Sequence, residues 1–151
     1  YIPAAKGTAV RQKEPEIRIP DIRGRVLIMD DEEGVREVAQ AMLIHLGHEA
    51  ETVPDGESAI ARYREAYEAG RPFDVVIMDL TIPGGMGGKA AVWDLLQYDP
   101  SALAIVSSGY SEDSILAEHE KHGFRGVITK PYRIEDLREE LNRVIGEKTK
   151  Q

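Results

Sequence analysis

The feature that most constrains this sequence is an apolar run, Val75-Val76-Ile77-Met78, that stops at the carboxylate of Asp79. A short run rich in Val and Ile is typical of a strand that is buried on both faces. Three further apolar runs, at residues 26–29, 103–106 and 127–129, also lead into polar side chains. These side chains are Asp30 and Asp31 after the first run, Ser107 and Ser108 after the second, and Lys130 after the third. The chain is therefore predicted to bring acids, a hydroxyl and an amine to the ends of four buried strands.

Amphipathic stretches separate these runs and predict helices that lie on the sheet. After the first run, apolar residues recur at i, i+3, i+4, i+7, i+8 and i+11, and Gly47 is the expected end of the helix. These residues are Val35, Val38, Ala39, Met42, Leu43 and Leu46. Four further helices are predicted. The second helix begins at the N-cap Asp55, ends at Gly70 and carries Ala59, Ile60, Tyr63 and Tyr67, and the third is broken by Asp99-Pro100. The fourth begins at the N-cap Ser111, runs through Ile115 and Leu116 and ends at Gly123, and the fifth carries Ile134, Leu137, Leu141, Val144 and Ile145.

A fifth strand is predicted at the edge of the sheet. Glu49–Val53 alternates polar and apolar residues, as expected of an edge strand with one face in water. Five strands that alternate with five helices predict an α/β fold, with a parallel sheet covered by helices on both faces. In such an open sheet, ligands bind beyond the carboxyl ends of the strands, where the strand order reverses. With the order 2-1-3-4-5, the first and third strands are neighbours at that point.

Length and composition indicate a single domain preceded by a linker. A chain of 151 residues is long enough to bury one substantial core. Residues 1–22 mix Pro, Gly and charge without a sustained period, which is typical of a linker. We therefore predict a linker at 1–22, one domain at 23–147 and a tail at 148–151.

The charge and the absence of cysteine exclude several classes of function. A net charge of -8 argues against binding to a nucleic-acid backbone, which requires a basic face. Zero cysteines rule out disulfides and thiolate chemistry and fit a reducing cytoplasm. No apolar run approaches the ~20 residues of a membrane span, and no signal peptide is evident. We predict a cytoplasmic chain without nucleic-acid or direct membrane contact, in a parent protein that can itself be membrane-bound.

The aspartates at the strand ends predict a site for a divalent cation. Asp30, Asp31 and Asp79 would lie within a few strand spacings of ~4.8 Å from one another, and carboxylates so close repel each other. Oxygen ligands of this kind favour Mg²⁺, which is commonly held by one or two carboxylates together with substrate phosphates. The histidines are expected to be solvated helix residues, so zinc is not predicted. They are His45, His48, His119 and His122.

The same group of side chains suits phosphoryl transfer. A carboxylate beside bound Mg²⁺ can attack phosphorus and form an aspartyl phosphate. Lys130 could then serve as a point charge for a phosphate oxygen, and the hydroxyl of Ser108 could donate to the phosphate once it is present. Taken singly, each residue has an ordinary explanation as a cap, a turn residue or a surface residue. The conjunction of four strand ends is what favours this chemistry.

Residues 25–146 resemble the receiver domain of two-component response regulators, with elements in the order and spacing of that family. The resemblance implies a flavodoxin-like (βα)5 fold, a doubly wound five-stranded parallel sheet in the order 2-1-3-4-5. It implies that Asp79 is the phosphoacceptor and that Asp31, Asp79 and the backbone carbonyl of Thr81 bind Mg²⁺, for which Mn²⁺ could substitute. Asp30 would complete the acidic pocket through water.

The resemblance also implies how the modification is sensed. Ser108 would be the switch hydroxyl and Lys130 would contact the phosphate, while Lys130-Pro131 matches an X-Pro bond that is often cis in the family. One position departs, because Val127 stands where the family usually has a rotating Tyr or Phe. Coupling by aromatic rotation is therefore not expected, and any output change would travel through the loops around Ser108.

The linker adds a second resemblance. Tyr1-Ile2-Pro3-Ala4-Ala5 is similar to the end of the ATP-binding domain of histidine kinases. This suggests the C-terminal receiver of a hybrid sensor histidine kinase; a stand-alone single-domain response regulator is the alternative. The implied partners are a histidine kinase core, in the same chain if hybrid, and a histidine phosphotransfer protein. The domain would assist its own phosphorylation and dephosphorylation without being a separate enzyme.

Three other functions fit the sequence less well. An aspartyl-phosphate phosphatase of the haloacid-dehalogenase type has Asp-x-Asp after its first strand, whereas this chain has Asp30-Asp31-Glu32-Glu33. Those acids would also repel the phosphate of a flavin in a flavodoxin-like flavin binder. A receiver used only for docking, with its acceptor unused, has no reason to keep the complete set of site residues.

Overall fold

The sheet has the predicted strand order. The computed structural model describes residues 23–80, 82–109 and 118–149, with side chains up to residue 147. Its strands are β1 (Arg25–Met29), β2 (Glu49–Val53), β3 (Val75–Asp79), β4 (Ala104–Ser108) and β5 (Gly126–Thr129). They form one parallel sheet in the order β2-β1-β3-β4-β5. The predicted flavodoxin-like α/β fold is confirmed, with β1 and β3 adjacent where the strand order reverses.

Helices cover both faces of this sheet. The described helices are α1 (Glu33–His45), α2 (Gly56–Glu68), α3 (Gly88–Tyr98) and α4 (Ile134–Thr149), with a 3-10 helix at His119–His122 before β5. The predicted helix from Ser111 through Ile115 and Leu116 lies outside the described residues. α4 continues to Thr149, into residues 148–151 of the predicted tail. Within the part of the chain that the structure describes, no helix combines the length and the apolar character needed to cross a bilayer.

Local signals in the sequence set the helix ends. The side chain of Asp55 accepts a hydrogen bond from the backbone N of Ser58 at 2.8 Å, which confirms the predicted N-cap of α2. Gly47, Gly70 and Gly123 have φ angles of +97°, +81° and +98°. Only glycine adopts this left-handed conformation without a steric cost, so the predicted ends of α1 at Gly47 and of α2 at Gly70 are confirmed, whereas Gly123 ends the 3-10 helix His119–His122.

The sheet separates two apolar layers. One layer packs alternate strand residues such as Leu27, Val76 and Val106 against α2 and α3. The other packs the intervening residues, such as Ile28 and Ile77, against α1 and α4. All five residues of β3 are buried, and each Val or Ile buried in this way contributes roughly 1.5–3 kcal/mol. The strand that leads to Asp79 is therefore held by apolar burial along its whole length.

β2 lies at the edge of the sheet, as predicted, and carries charge on its wet face. Glu51 accepts hydrogen bonds from Arg62 at 2.7 and 2.9 Å and from Arg25 at 3.1 Å. The hydrogen bonds from Arg62, aided by Arg25, outweigh burial and lower the pKa of Glu51. Charged side chains along an edge strand discourage pairing with a strand of another molecule.

Three side chains differ from the sequence prediction. Val38 and Tyr67 occupy apolar positions of α1 and α2 but are 51% and 48% exposed. The apolar face of each helix is wider than the part of it that packs against the sheet, so residues at its margin remain in contact with solvent. The prediction of solvated helix histidines is wrong for His48, which lies between α1 and β2 and is 6% exposed. Its Nδ1 accepts a hydrogen bond from the backbone N of Gly24 at 3.0 Å, so the ring holds the residue that precedes β1.

Candidate functional site

Four strand ends meet at the carboxyl edge of the sheet. Asp30 and Asp31 come directly after β1, and Asp79 is the last residue of the neighbouring strand β3. Ser108 ends β4 on the other side of β3, and Lys130 comes directly after β5. The parallel sheet thus gathers the predicted side chains at one edge, as the sequence indicated. Thr81, the remaining predicted metal ligand, lies outside the described residues.

The three aspartates form one acidic cluster. Each of Asp30, Asp31 and Asp79 offers a carboxylate oxygen, and these atoms lie within 4.8 Å of one another. Asp30 is fully buried, Asp79 is 7% exposed and Asp31 is exposed. One oxygen of Asp30 accepts a hydrogen bond from the backbone N of Glu32 at 2.9 Å, which fixes its orientation. Two buried acids and one exposed acid therefore share a site that opens to solvent on the side of Asp31.

Lys130 supplies the countercharge inside the cluster. Its Nζ lies 2.7 Å from Oδ2 of Asp30 and 3.1 Å from Oδ2 of Asp79. The backbone N of Lys130 donates to the carbonyl of Ser108 at 2.9 Å, and the next peptide bond, to Pro131, is cis, as the resemblance implied. Burial disfavours the charged ammonium, but the two carboxylates outweigh burial and raise the pKa of Lys130. The lysine is thus a fixed cation at this edge.

One ammonium does not neutralise three carboxylates. Burial raises the pKa of Asp79 to about 6; Lys130 opposes this shift, while Asp30 and Asp31 reinforce it by repulsion. A carboxyl group in this condition gains stability from any further cation that its ionised form can bind. The electrostatics of the site therefore favour a second positive charge close to Asp79.

Ser108 provides a buried hydroxyl with unused hydrogen-bonding capacity. The side-chain oxygen is buried and has no hydrogen-bond partner among the residues that the structure describes. Buried polar atoms normally have partners, and an unpaired one costs about 1–3 kcal/mol. A group that carried oxygen acceptors to this edge would satisfy the hydroxyl.

The donor set fits a hard divalent cation. The carboxylates of Asp31 and Asp79 converge, and Asp30 stands behind them in contact with Lys130. Oxygen ligands of this type suit Mg²⁺, which keeps several of its waters and binds through one or two carboxylates. The exposed position of Asp31 leaves room for those waters and for an entering anion. The unpaired hydroxyl of Ser108 fits the same arrangement.

Two features of the site were not predicted from the sequence. Arg36, in the first turns of α1, donates from Nη1 to the backbone carbonyl of Asp30 at 2.7 Å. The sequence does contain a sign of this role, because Arg36 follows four acidic residues and lies near the N-terminus of a helix. A basic side chain is unfavourable there unless it has a partner, since that end of the helix dipole is positive. A cavity of about 470 Å³ also lies beside the site, between α1 and the loop after β5. Its lining residues are Glu32, Gly34, Val35, Val38, Lys130, Pro131 and Tyr132.

Comparisons with known proteins identify relatives over the same stretch of chain. The profile of the protein family described as Response regulator receiver domain matches residues 26–142. The chain is 33% identical over 121 residues to the chemotaxis protein CheY of Thermotoga maritima, covering 80% of this chain and 96% of that protein. It is 29% identical over 122 residues to the sensor histidine kinase AruS of Pseudomonas aeruginosa, covering 79% of this chain and 12% of the kinase.

Solved structures share the fold over most of the described residues. The chemotaxis protein CheY4 of Vibrio cholerae superposes with a TM-score of 0.71 at 27% identity, covering 82% of this chain and 99% of that chain. The receiver domain of NtrX from Brucella abortus gives a TM-score of 0.73 at 24% identity, covering 80% of this chain and 98% of that chain. The second likeness speaks for the fold alone.

Proposed function

The chain belongs to the response regulator receiver domain family, and we propose that it accepts a phosphoryl group from a phosphohistidine onto Asp79. The observation that carries the proposal is the contact of one ammonium, Lys130, with two buried carboxylates beside a third that is exposed. A nucleophile, a fixed cation and candidate metal ligands then lie within a few ångströms of one another. Phosphoryl transfer requires mainly such positioning and charge neutralisation.

In the proposed step, an oxygen of ionised Asp79 attacks the phosphorus of the phosphohistidine. A phosphorus–oxygen bond forms as the phosphorus–nitrogen bond breaks, and the electron pair of the broken bond returns to the imidazole nitrogen, which takes up a proton. Lys130, already in contact with Asp79, then pairs with one phosphoryl oxygen and offsets the new charge. Ser108 donates its hydroxyl to another oxygen and so registers the modification.

Magnesium completes the proposed site. Asp31 and Asp79 would hold the ion, with Asp30 acting through water and the carbonyl of Thr81 as a further proposed ligand. When bound, Mg²⁺ neutralises charge on the carboxylates and on the phosphoryl oxygens, and Mn²⁺ is the expected substitute. Arg36 holds the backbone of Asp30 and thereby keeps the adjacent ligand in place.

We further propose a cytoplasmic receiver at residues 23–147, between a linker at 1–22 and a tail at 148–151. Two settings are open: the C-terminal receiver of a hybrid sensor histidine kinase, and a stand-alone response regulator. The first is supported by the kinase-like Tyr1-Ile2-Pro3-Ala4-Ala5, and the second by the match to nearly the whole of a CheY protein. A kinase core with or without a phosphotransfer protein is the proposed partner. A reading frame that encodes a kinase core upstream of Tyr1 would decide for the hybrid.

The proposal is tested by incubating the chain with acetyl phosphate and Mg²⁺ and measuring its intact mass. We expect a gain of one phosphoryl group that requires the metal and that the substitution Asp79→Asn abolishes. Asp94→Asn, which removes an exposed carboxylate from α3, is the matched control and should be modified like the original chain. Equal modification of the Asp79→Asn variant would refute the assignment of the acceptor.

A further inference from the structure

The mechanism leaves one buried pair of hydroxyl groups unused. Ser107 is fully buried and Tyr132 is 8% exposed, and the phenol of Tyr132 donates to Oγ of Ser107 at 2.8 Å. Tyr132 belongs to the apolar layer formed with α1 and α4, where it packs among aliphatic side chains. A single polar pair in such a layer contributes little net stability compared with two apolar groups of the same shape. Its position in the fold suggests another use.

The pair joins the strand beside the acceptor strand to the segment that follows Lys130. Ser107 is the residue of β4 that lies opposite Asp79, and its carbonyl accepts a hydrogen bond from the backbone N of Leu80 at 3.1 Å. Tyr132 comes two residues after Lys130. One hydrogen bond therefore connects the strand beside the nucleophile with the loop that presents the cation.

Two hydrogen bonds attach this loop to successive residues of β4. Before the bend, the backbone N of Lys130 donates to the carbonyl of Ser108 at 2.9 Å. After the bend, the hydroxyl of Tyr132 donates to Ser107. Pro131 has no N–H and cannot contribute a third backbone bond. These two bonds hold the chain on either side of the Lys130-Pro131 peptide bond, and only the second is a side-chain contact that substitution can remove.

We propose that Tyr132 and Ser107 are positioning residues, whose hydrogen bond fixes the loop after β5 so that the Lys130 ammonium contacts Asp79. The consequence for phosphorylation rests on the proposed function. The consequence for the lysine does not, because it concerns a contact within the chain itself. These two consequences can be measured separately.

The first experiment measures the accessibility of Lys130 without any phosphoryl chemistry. The chain is treated briefly with the N-hydroxysuccinimide ester of acetic acid, and acetylation of individual lysines is followed by peptide mass spectrometry. In the original chain, the Lys130 side chain is 22% exposed and paired with two acids, whereas that of Lys121 is 76% exposed. We expect Tyr132→Phe and Ser107→Ala each to raise the rate at Lys130 several-fold relative to Lys121. An unchanged ratio in both variants would overturn the proposal.

The second experiment measures phosphorylation by acetyl phosphate with Mg²⁺. Loss of one hydroxyl should slow the reaction about threefold to tenfold, the factor expected from misplacing one hydrogen-bonded group. The double variant Ser107→Ala with Tyr132→Phe should be no slower than either single variant. In a Lys130→Ala background, Tyr132→Phe should cause no further slowing, because its effect runs through the lysine. Undiminished slowing in that background would contradict a positioning role.

A matched control separates positioning from stability. The hydroxyl of Tyr63 donates to Oδ2 of buried Asp99 at 2.7 Å, and Tyr63 packs in the apolar layer on the other face of the sheet from Tyr132, so Tyr63→Phe removes a comparable buried bond. This variant should unfold more easily yet keep the original rates of acetylation at Lys130 and of phosphorylation. If the original chain is not phosphorylated while Tyr132→Phe still frees Lys130, the proposed function fails and the positioning role stands.

Discussion

Asp79 is the residue at which the proposed function and the stability of the fold conflict. Its burial raises its pKa to about 6, despite an ammonium 3.1 Å away. A carboxyl group whose pKa is higher in the folded chain stabilises the fold below its unfolded pKa, near 4. That contribution is lost as the pH rises through the folded value. In the absence of a divalent cation, the chain should therefore lose stability between about pH 4 and pH 6.

The Asp79→Asn variant should be more stable than the original chain at pH 7.5 without divalent cations. Asn removes the charge that burial disfavours, and a pKa raised from 3.8 to about 6 corresponds to about 3 kcal/mol in the free energy of unfolding. The difference should shrink toward pH 4, where Asp79 is protonated. Urea unfolding at both pH values measures it, with Asp94→Asn as the control for a lost surface charge. A variant less stable than the original chain at pH 7.5 would contradict this interpretation of Asp79.

At the scale of elements, contacts at the ends of the helices help to hold the loops that follow the strands. α2 begins at Gly56, whose backbone N donates at 2.8 Å to the carbonyl of Met86, in the loop after β3. Space there is restricted, since a Cβ at Gly56 would lie 2.8 Å from the same carbonyl. The start of α2 thus supports the loop that leaves the acceptor strand.

Removal of the α2 cap should destabilise the chain modestly. In Asp55→Ala the backbone N of Ser58 loses its side-chain acceptor, which typically costs about 1 kcal/mol. Asp55→Asn retains an acceptor oxygen and should be close to the original chain. Thermal unfolding of both variants tests the cap. Equal losses in the two variants would indicate that the charge of Asp55, rather than its hydrogen bond, is what stabilises α2.

The outer edge of β5 is covered by a side chain of α4. Oε2 of Glu140 accepts from the backbone N of Val127 at 2.8 Å and from Arg143 at 2.8 Å. Burial works to raise the pKa of Glu140, but the hydrogen bonds from Arg143 and Val127 outweigh it and lower the pKa. This carboxylate holds the strand residue that stands where the family usually has a rotating aromatic ring.

Glu140→Gln should cost roughly 1 kcal/mol at pH 7, because a charge-assisted hydrogen bond is replaced by a neutral one. A lowered folded pKa contributes stability above the unfolded value near 4.5, which is lost as the pH falls through the folded value. The difference between the two chains, measured by urea unfolding across this range, should therefore disappear in acid. Glu139→Gln changes an exposed neighbour and should be neutral throughout. A pH-independent loss in Glu140→Gln would speak against an ionised partner for Val127.

At the scale of the whole molecule, the spacing of apolar residues along the sequence was enough to predict the strands of the sheet. It was not enough to predict side-chain contacts between segments that are distant in the sequence. Five apolar or alternating runs marked five strands, since a buried strand must present apolar residues on the faces that helices cover. The same logic brought Asp79 and Lys130 to one edge. It could not show that His48 is buried, or that Tyr132 reaches Ser107, because both depend on which segments meet across the sheet.

The net charge of -8 and the acidic cluster at one edge give two distinct responses to salt. Monovalent ions screen the repulsion over the entire surface, whereas a divalent ion bound at the proposed site would neutralise Asp31 and Asp79 directly. At a magnesium concentration about 100 times the dissociation constant, linkage gives the folded chain about 3 kcal/mol of additional stability. NaCl of equal ionic strength should give much less. Thermal unfolding in the two salts measures the difference.

Asp31→Asn should remove the response to magnesium while leaving the response to NaCl unchanged. Asp31 is exposed, so its loss should hardly alter the stability of the chain without metal, unlike the loss of the buried Asp30, which is paired with Lys130. The variant therefore isolates metal binding from folding. Asp94→Asn, with the same change in net charge, should keep the full response to magnesium. If Asp31→Asn and Asp94→Asn respond alike, the stabilisation by magnesium arises from screening of the acidic surface, and the acidic cluster is not a metal site.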